Sequence, residues 1–213
     1  MRIDPAGWPF IGGAAVLAGL LWWAGYSGAA AAAALAGVFC LFFFRDPERR
    51  VQPGLNEVLS PADGRVVVAG AAEPRAAPPG EWQQISIFLS PMDVHVNRLP
   101  VSGRVTRVEY RPGRFLPAYR ADAASENERN EIWIDHGGWT VVCRQVVGIL
   151  ARRVVCRVKP GAEVEAGDRF GIMKFGSRMD VFLPLEATLR VAAGDRVRAG
   201  VTVLAVLPGA PAS

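Results

Sequence analysis

The chain has 213 residues, of which 24 are Lys or Arg and 20 are Asp or Glu, so its formal net charge is +4. Hydrophobic residues make up 51% and charged residues 21%, a composition that excludes a disordered or collagen-like protein. The charges are unevenly placed, because none occurs between residues 6 and 44. The sequence therefore indicates an uncharged N-terminal segment followed by a globular domain of ordinary charge content.

The uncharged segment divides at residues 25–28 into two apolar runs, residues 10–24 and 29–44. It runs far beyond the apolar core of a signal peptide. As a helix each run would measure about 23 Å, slightly short of a bilayer core of about 30 Å. Three arrangements stay open: a tight hairpin of two short or tilted spans, two helices lying partly in the membrane, and a helical hairpin buried in a soluble domain.

Basic residues flank the apolar segment, namely Arg2 before it and Arg45, Arg49 and Arg50 after it. Under the positive-inside rule both ends are cytoplasmic, so we expect a cell-membrane protein whose globular domain faces the cytoplasm. We predict a membrane-associated hairpin with its basic flank over residues 1–50, and a β-rich domain over residues 51–213.

Beyond Pro53, glycine and proline interrupt the chain at short intervals, with short β-branched runs between the breaks. Such runs predict strands, here over residues 65–69, 84–89, 103–110, 131–135, 140–147, 151–158, 181–184, 188–191 and 201–206. Residues 73–80 are predicted to form a loop, and residues 118–130 a loop or short helix. We therefore expect a β-dominated α+β protein, with an N-terminal apolar helical hairpin followed by a barrel- or sandwich-like β domain.

Two turn sequences in the β domain resemble each other, at residues 160–168 and 193–200. Both contain the pattern G-x-x-V-x-x-G, which is common in lipoyl and biotinyl domains. The pattern favours lipoyl-like, pseudo-symmetric hairpins, although two similar tight turns arising by chance explain it equally well.

The sequence gives little support to disulfides, metals or nucleic acids. The three cysteines, Cys40, Cys143 and Cys156, form no CxxC pair, which favours inert thiols in a reducing compartment. With two histidines and no ligand spacing, we expect no metal site. The basic residues are spread out and no nucleic-acid motif appears, so a basic surface facing anionic lipid is the simpler interpretation.

Three short motifs carry the residues of chemical interest. Ser177 follows Gly176, and a glycine at that position leaves the preceding carbonyl unshielded for attack by the serine Oγ when a base is present. Asp63 offers a carboxylate at a predicted turn, and His95 offers an imidazole in Asp-Val-His-Val-Asn-Arg. The absence of G-x-S-x-G disfavours an α/β-hydrolase. Spacing alone leaves open whether the three side chains form one site.

Six segments, taken together and in order, resemble the phosphatidylserine decarboxylase family in its short prokaryotic proenzyme form. The resemblance spans nearly the whole chain. The segments are residues 44–49 (FRDPER), 60–64 (SPADG), 88–98 (FLSPMDVHVNR), 127–130 (NERN), 151–153 (ARR) and 175–180 (FGSRMD).

The resemblance implies a proenzyme that cleaves itself between Gly176 and Ser177 into fragments 1–176 and 177–213. Ser177 would become a covalent pyruvoyl group, and no metal would take part. The amine of phosphatidylserine would form a Schiff base with this group, lose CO2 and leave as phosphatidylethanolamine.

The resemblance also assigns site residues. His95 matches the motif histidine that would deprotonate Ser177, and Asp63 matches the self-cleavage aspartate that would orient it. Longer family members carry a second histidine where this chain has Arg98, which stays protonated and cannot act as a base. Either His95 serves both self-cleavage and later protonation, or the base comes from elsewhere. Arg98 and Asn97 are the expected substrate-binding residues.

Two other classes of function stay open. One is a membrane-tethered lipoyl- or biotinyl-like carrier or adaptor, supported by the repeated turns and by Lys174 in Met-Lys-Phe. The other is a structural, membrane-anchored β domain without chemistry. The expected partners are phosphatidylserine, the membrane and the two fragments of one chain, with a homo-oligomer left open and no nucleic acid. His136 matches no motif residue and is expected to be a turn residue.

Overall fold

The computed structural model describes residues 2–49, 52–117, 123–148, 154–174 and 176–209. It divides into two compact units, Met1–Glu48 and Arg49–Ser213. Three parts of the sequence predictions lie outside the described residues: the 151–153 segment, which is both a family motif and the start of a predicted strand; Phe175; and residues 118–122 of the predicted loop or short helix.

The first unit is a helical hairpin. Helices α1 (Trp8–Trp23) and α2 (Ser27–Phe43) are joined by a short turn in which Gly25 has a φ of +84°. The short strands β1 (Arg2–Ile3) and β2 (Arg45–Asp46) pair at its base. The two helices predicted from the apolar runs are thereby confirmed.

Small side chains let α1 and α2 approach closely. Ala30 on α2 is only 4% exposed, and a Cβ atom added at Gly37 would lie 3.3 Å from the Cβ of Ala14. The large apolar side chains point outward instead, and α1 buries none of its residues. By length and composition, the helical stretch Pro5–Trp23 is able to cross a membrane, whereas Ser27–Phe43 is a shorter apolar helix.

The second unit is β-rich, as the sequence predicts. Its largest sheet curls into a half-barrel of eight strands in the order β11-β7-β8-β9-β13-β5-β4-β15, and two three-stranded sheets have the orders β10-β12-β6 and β14-β16-β3. The elements are β3 (Glu57–Leu59), β4 (Gly64–Ala71), β5 (Gln83–Leu89), β6 (Val96–Arg98), β7 (Gly103–Arg111), α3 (Ala123–Glu126), β8 (Arg129–His136), β9 (Trp139–Val146), β10 (Val154–Cys156), β11 (Glu163–Val164), β12 (Arg169–Met173), β13 (Ser177–Leu183), β14 (Thr188–Leu189), β15 (Arg196–Val197) and β16 (Val203–Val206).

Strand β13 begins four residues earlier than the sequence predicts, at Ser177 rather than residue 181. The alternation of charged and apolar residues at its start is typical of an exposed segment. Here, however, Arg178 and Asp180 are buried as an ion pair, with 2.6 Å between Nε and Oδ1. The sequence also gave no signal for β3, β6, β11, β12 and β15, which are short or contain glycine and charged residues.

The hydrophobic core lies against one face of the large sheet. Because side chains alternate along a strand, β13 contributes Met179, Val181 and Leu183 to the core, and β5 contributes Ile85 and Ile87. Each such side chain contributes roughly 1.5–3 kcal/mol when fully buried. The same alternation places Ser177 on this inner face.

The two similar turn sequences occupy equivalent places at opposite edges of the large sheet. The sequence 193–200 contains β15, which pairs antiparallel with the start of β4. In the same way, the sequence 160–168 contains β11, which pairs antiparallel with the start of β7. Backbone hydrogen bonds repeat too: Val66 bonds to Gly194 and Asp195, and Val105 bonds to Gly161 and Ala162. The second unit therefore has two pseudo-symmetric halves.

A reciprocal pair of backbone hydrogen bonds joins the two halves, of which the second comprises residues 90–176 and the first the rest of the unit. The amide of Leu59 donates to the carbonyl of Pro100 at 2.8 Å, and the amide of Arg98 donates to the carbonyl of Pro61 at 2.9 Å. The sheet β10-β12-β6 of one half matches β14-β16-β3 of the other. Strands β9 and β13 lie side by side at the centre of the large sheet, where the halves meet.

One half is inserted into the other. Strands β8 and β9 are joined by a tight turn in which Gly137 and Gly138 have φ values of +59° and +89°. At the equivalent place, β5 and β13 are joined by the entire second half, residues 90–176. The insertion leaves at Leu89 and returns at Ser177, and these two residues are register partners.

The close approach at Gly103 gives a stability prediction. Gly103 has a φ of +144°, and an added Cβ would lie 2.0 Å from the carbonyl oxygen of Asp135, whereas Gly70 has a φ of +145° with nothing within 4 Å. We expect Gly103→Ala to lose at least about 2–3 kcal/mol, because strain and a backbone clash combine. Gly70→Ala, with strain alone, should lose about 1 kcal/mol. Thermal unfolding of the full chain in one detergent measures both, and equal losses would contradict the argument.

Candidate active site

Ser177 is fully buried at the first position of β13, between β5 and β9. Within the described part of the chain, its Oγ has no hydrogen-bond partner. The preceding residue, Gly176, has a φ of +69°, and an added Cβ there would meet nothing within 4 Å. An unsatisfied buried hydroxyl costs roughly 1–3 kcal/mol, and such groups commonly have a chemical role. The geometry places this hydroxyl next to an unshielded backbone carbonyl.

His95 is positioned near Ser177 by two structural links, one through strand β5 and one through a backbone hydrogen bond to Met173. It follows β5, the partner of β13, after a turn in which the Ser90 amide donates to Asp93 Oδ2 at 2.8 Å. Its own carbonyl accepts a hydrogen bond from the amide of Met173 at 3.3 Å, four residues before Ser177. The fold therefore brings His95 to the sheet end where Ser177 lies.

The imidazole of His95 is fully buried, and its Nδ1 lies 3.0 Å from the carbonyl oxygen of Asp93. A carbonyl only accepts hydrogen bonds, so in the neutral ring Nδ1 carries the hydrogen and Nε2 carries the lone pair. In this tautomer Nε2 is the basic nitrogen, as a general base requires.

Asp63 is held by an arginine and a backbone amide. Its two carboxylate oxygens accept hydrogen bonds from Arg49 at 2.6 and 2.7 Å, and Oδ1 also accepts from the amide of Ala199 at 2.8 Å. Among the described residues, no hydrogen bond of Asp63 reaches His95, so its predicted orienting role stays a prediction. The sequence indicated Arg49 only as part of the basic flank, although it lies in the motif at residues 44–49.

Pseudo-symmetry gives Asp63 a counterpart, Ser102. The hydroxyl of Ser102 accepts a hydrogen bond from the amide of Ala166 at 2.9 Å, as Asp63 does from Ala199 in the other half. A neutral hydroxyl is thus sufficient to hold this kind of turn. The negative charge of Asp63 is more than the turn requires, and it is balanced by Arg49.

Asn97 belongs to a row of buried amide side chains on the inner face. Its Oδ1 accepts a hydrogen bond from Gln145 Nε2 at 2.8 Å, and Gln145 Oε1 accepts one from Asn130 Nδ2 at 3.4 Å. Within the described residues, the Nδ2 group of Asn97 is buried without a partner. Sequence reasoning missed Gln145, which follows Arg144 in β9 and belongs to no motif, although Asn130 lies in the motif at residues 127–130.

The other candidate residues lie at strand ends or in a connection, with Arg98 the last residue of β6 and His136 the last residue of β8. Arg98 is buried, and its Nη1 donates to the carbonyl of Gly167 at 2.9 Å. The ring nitrogens of His136 lie 2.6 Å from the carbonyl oxygen of Ser102 and 3.2 Å from that of Leu55. Lys174 lies in the connection between β12 and β13.

The described residues contain no group of three or more His, Cys, Asp or Glu side chains placed to hold a metal ion. All three cysteines are free thiols. Burial raises the pKa of Cys143 well above its ordinary value and raises that of Cys156 to a lesser degree. These two thiols are therefore poor nucleophiles at neutral pH.

Comparison with known proteins identifies the family. A family model described as phosphatidylserine decarboxylase matches residues 36–205. Proteins named phosphatidylserine decarboxylase proenzyme are 46% identical in Burkholderia mallei (96% of this chain, 95% of the relative), 45% in Nitrosomonas europaea (93% and 92%) and 46% in Pelodictyon phaeoclathratiforme (80% and 80%). The chain is therefore an enzyme of the carboxy-lyase class. It belongs to the phosphatidylserine decarboxylase family, which confirms the resemblance seen in its motifs.

Proposed function

We propose that this protein decarboxylates phosphatidylserine to phosphatidylethanolamine, with a pyruvoyl group that it makes from its own Ser177. The family and the names of its relatives support decarboxylation of this lipid, and the word proenzyme in those names supports activation by cleavage. The observation that carries the proposal is the buried Oγ of Ser177, which has no hydrogen-bond partner among the described residues and directly follows a glycine at positive φ.

In the proposed self-cleavage, Ser177 Oγ attacks the carbonyl carbon of Gly176. The peptide C–N bond breaks as the ester C–O bond forms, and the hydroxyl proton passes through a base to the released nitrogen. Elimination then releases Gly176 as a carboxylate and leaves dehydroalanine at residue 177. Addition of water and loss of ammonia turn that residue into a ketone.

His95 is the base that we assign to the proton transfer. Its Nδ1 hydrogen is held by the Asp93 carbonyl, which leaves Nε2 to accept the hydroxyl proton. Asp63 would contribute negative charge from the turn that it shares with Ala199, and this would stabilise the imidazolium form. With Arg98 in place of a second histidine, His95 would also return the proton after CO2 leaves.

Once formed, the pyruvoyl group would supply an electrophilic carbonyl able to take up the electron pair that stays on the substrate carbon when CO2 leaves. The protein's own residues bind and orient the lipid headgroup. Asn97 offers its buried Nδ2 as a donor to a carboxylate or phosphate oxygen. Arg98 is the second proposed headgroup ligand, supported by its place in the family motif at residues 88–98.

The two fragments would remain one folded body after the cut. Strand β13 belongs to the small fragment, and it is paired along Ser177–Leu183 with β5 and along Arg178–Phe182 with β9, both from the large fragment. These ladders and the apolar inner face would hold the fragments together without the peptide bond.

We place the enzyme at the cell membrane with its catalytic unit on the cytoplasmic side. The apolar stretch Pro5–Trp23 supports membrane association, and the basic residues on both flanks of the hairpin support the orientation. A lipid substrate stays in the bilayer, so an attached enzyme meets it without extracting it first.

A carrier domain is the second candidate function, favoured by the equivalent placing of the two G-x-x-V-x-x-G turns. A carrier lysine lies at the tip of a hairpin, whereas Lys174 connects β12 and β13, which belong to different sheets. Biotin or lipoate on Lys174, detected by intact mass, would favour the carrier over the decarboxylase.

The first test is Ser177→Ala, which removes the attacking oxygen. Denaturing electrophoresis with intact mass should show one uncut chain for this variant. The wild type should give two fragments, with the smaller beginning at a blocked residue 177. Ser27→Ala, in helix α2, is the control and should cut normally. An identical pattern in wild type and Ser177→Ala would rule out the pyruvoyl mechanism.

The second test is His95→Gln, which replaces the imidazole with an uncharged amide of similar size and so removes the base. We expect the cleavage rate to fall by about 10²-fold or more, the usual contribution of a positioned base. His136→Gln is the matched control, since that ring contacts only turn carbonyls. Normal cleavage followed by failed decarboxylation in His95→Gln would restrict His95 to the later protonation step.

The third test separates charge from turn structure at Asp63. Asp63→Asn keeps an oxygen for the Ala199 amide but loses the charge, and Ser102→Ala removes the equivalent turn bond at a cost of about 1 kcal/mol. We expect Asp63→Asn to slow cleavage and Ser102→Ala to lower only the melting temperature. Equal cleavage rates in both variants would assign Asp63 a purely structural role.

A further inference from the structure

The large sheet carries a second polar region on the face opposite to Ser177. Arg144 of β9 is the register partner of Asp180 on β13 and of Glu131 on β8. Because residues alternate between the two faces of a sheet, these three side chains lie on the face away from Ser177. None of them has a part in the proposed reaction.

A cavity of about 360 Å³ lies between this face and the loop at residues 74–80. The loop is held in place there, because its Ala76 carbonyl accepts a hydrogen bond from Arg144. The charged residues that line the cavity are four arginines and one acid, namely Arg75, Arg111, Arg129, Arg144 and Glu131.

Two of the four arginines are neutralised by acids. Arg144 donates from Nε to Glu131 Oε1 at 2.9 Å and pairs with it again through Nη2. Arg111 donates to Glu109 at 2.6 Å, and Glu109 also pairs with the exposed Arg107 at 3.1 Å. Glu131, which lines the cavity, and Glu109 beside it are therefore already engaged.

The other two arginines lack a full counter-charge. Arg129 donates from Nη1 to the carbonyl of Ser125, while its Nε lies 3.7 Å from Glu131 and, among the described residues, has no hydrogen-bond partner. Arg75 is exposed and has no ion pair within the described part of the chain. The cavity thus has two arginines whose positive charges are not balanced locally.

Burial lowers the pKa of Arg129, and the neighbouring charge of Arg144 lowers it further. Arginine nevertheless stays protonated, so the repulsion is not relieved by losing a proton. An anion in the cavity would relieve it. Guanidinium groups bind phosphate oxygens through paired, charge-assisted hydrogen bonds.

We propose that the cavity under loop 74–80 binds a phosphate group through Arg129 and Arg75, at a site separate from the reaction at Ser177. The two unbalanced charges match a phosphate dianion, and the phosphodiester of an anionic lipid headgroup presents two such oxygens with a single negative charge. Because the sheet separates this cavity from Ser177, the bound phosphate is not that of the lipid being decarboxylated.

The first experiment measures thermal stability of the full chain in detergent against inorganic phosphate, with sodium chloride added to hold ionic strength constant. The test variant is Arg75→Gln/Arg129→Gln, and the matched control is Arg104→Gln/Arg190→Gln, which removes two exposed charges elsewhere. We expect phosphate to stabilise wild type and control, and the test variant to need at least about tenfold more phosphate. Should the double variant fail to fold, Arg75→Gln alone should show a smaller shift in the same direction.

The second experiment identifies the source of the phosphate. Flotation with phosphatidylcholine vesicles, with and without phosphatidylglycerol, compares the same proteins. Weaker binding of the test variant to the anionic vesicles, with competition by inorganic phosphate, indicates a lipid headgroup. If the test variant binds the anionic vesicles as wild type does but is no longer stabilised by inorganic phosphate, the ligand is a soluble phosphate. Equal responses of test variant and control to both probes, or no response of the wild type to either, would overturn the proposal.

Both experiments can be repeated in the Ser177→Ala background, which cannot form the proposed pyruvoyl group. Phosphate binding should be unchanged there, because the cavity does not depend on processing. A failure of the phosphate site is therefore distinguishable from a failure of the proposed reaction.

Discussion

The antiparallel pairing of β13 with both β5 and β9 is the constraint on which the catalytic unit depends. This pairing joins the two pseudo-symmetric halves, closes the insertion at Leu89 and Ser177, and buries the serine at the start of the strand. It also fixes the register, and a slip of one residue would move Ser177 to the opposite face. The position of the candidate nucleophile is therefore set by the hydrogen-bond ladders of the whole sheet.

The two faces of the sheet satisfy their buried polar groups in different ways. The inner face near Ser177 uses uncharged amides, in the row from Asn130 through Gln145 to Asn97. The opposite face uses ion pairs, such as Arg178 with Asp180. An amide lining provides hydrogen-bond donors and acceptors without adding charge beside Ser177, while the ion pairs of the other face are separated from it by the sheet.

Local sequence signals predict much of this structure. The apolar runs gave both hairpin helices, and most of the long strands follow from β-branched runs between glycine and proline. The motifs at Asp63, His95 and Ser177 predict the candidate site from the sequence alone. Each of these depends on residues that are close in sequence, where propensity and turn chemistry act directly.

Other features depend on pairing between distant segments, and the sequence does not reveal them. The start of β13 is hidden by Arg178 and Asp180, whose burial is acceptable only because each neutralises the other. The bonds of Asp63 to Arg49 and Ala199 connect residues far apart in the chain. The repeated turns are explained equally well by pseudo-symmetry and by chance at the level of sequence, and only the strand pairing shows that they are equivalent.

The insertion of one half into the other has a consequence for the chain end that the proposed cleavage creates. Chain termini normally lie at the surface, where water solvates their charge. A cut before Ser177 would instead leave a terminus in the middle of a sheet, at a residue that is completely buried. An ordinary α-amino group, with a pKa of about 8, would carry a positive charge there at high desolvation cost. A ketone at this position is neutral, so the conversion that would supply the reactive carbonyl would also make a buried chain end compatible with the folded state.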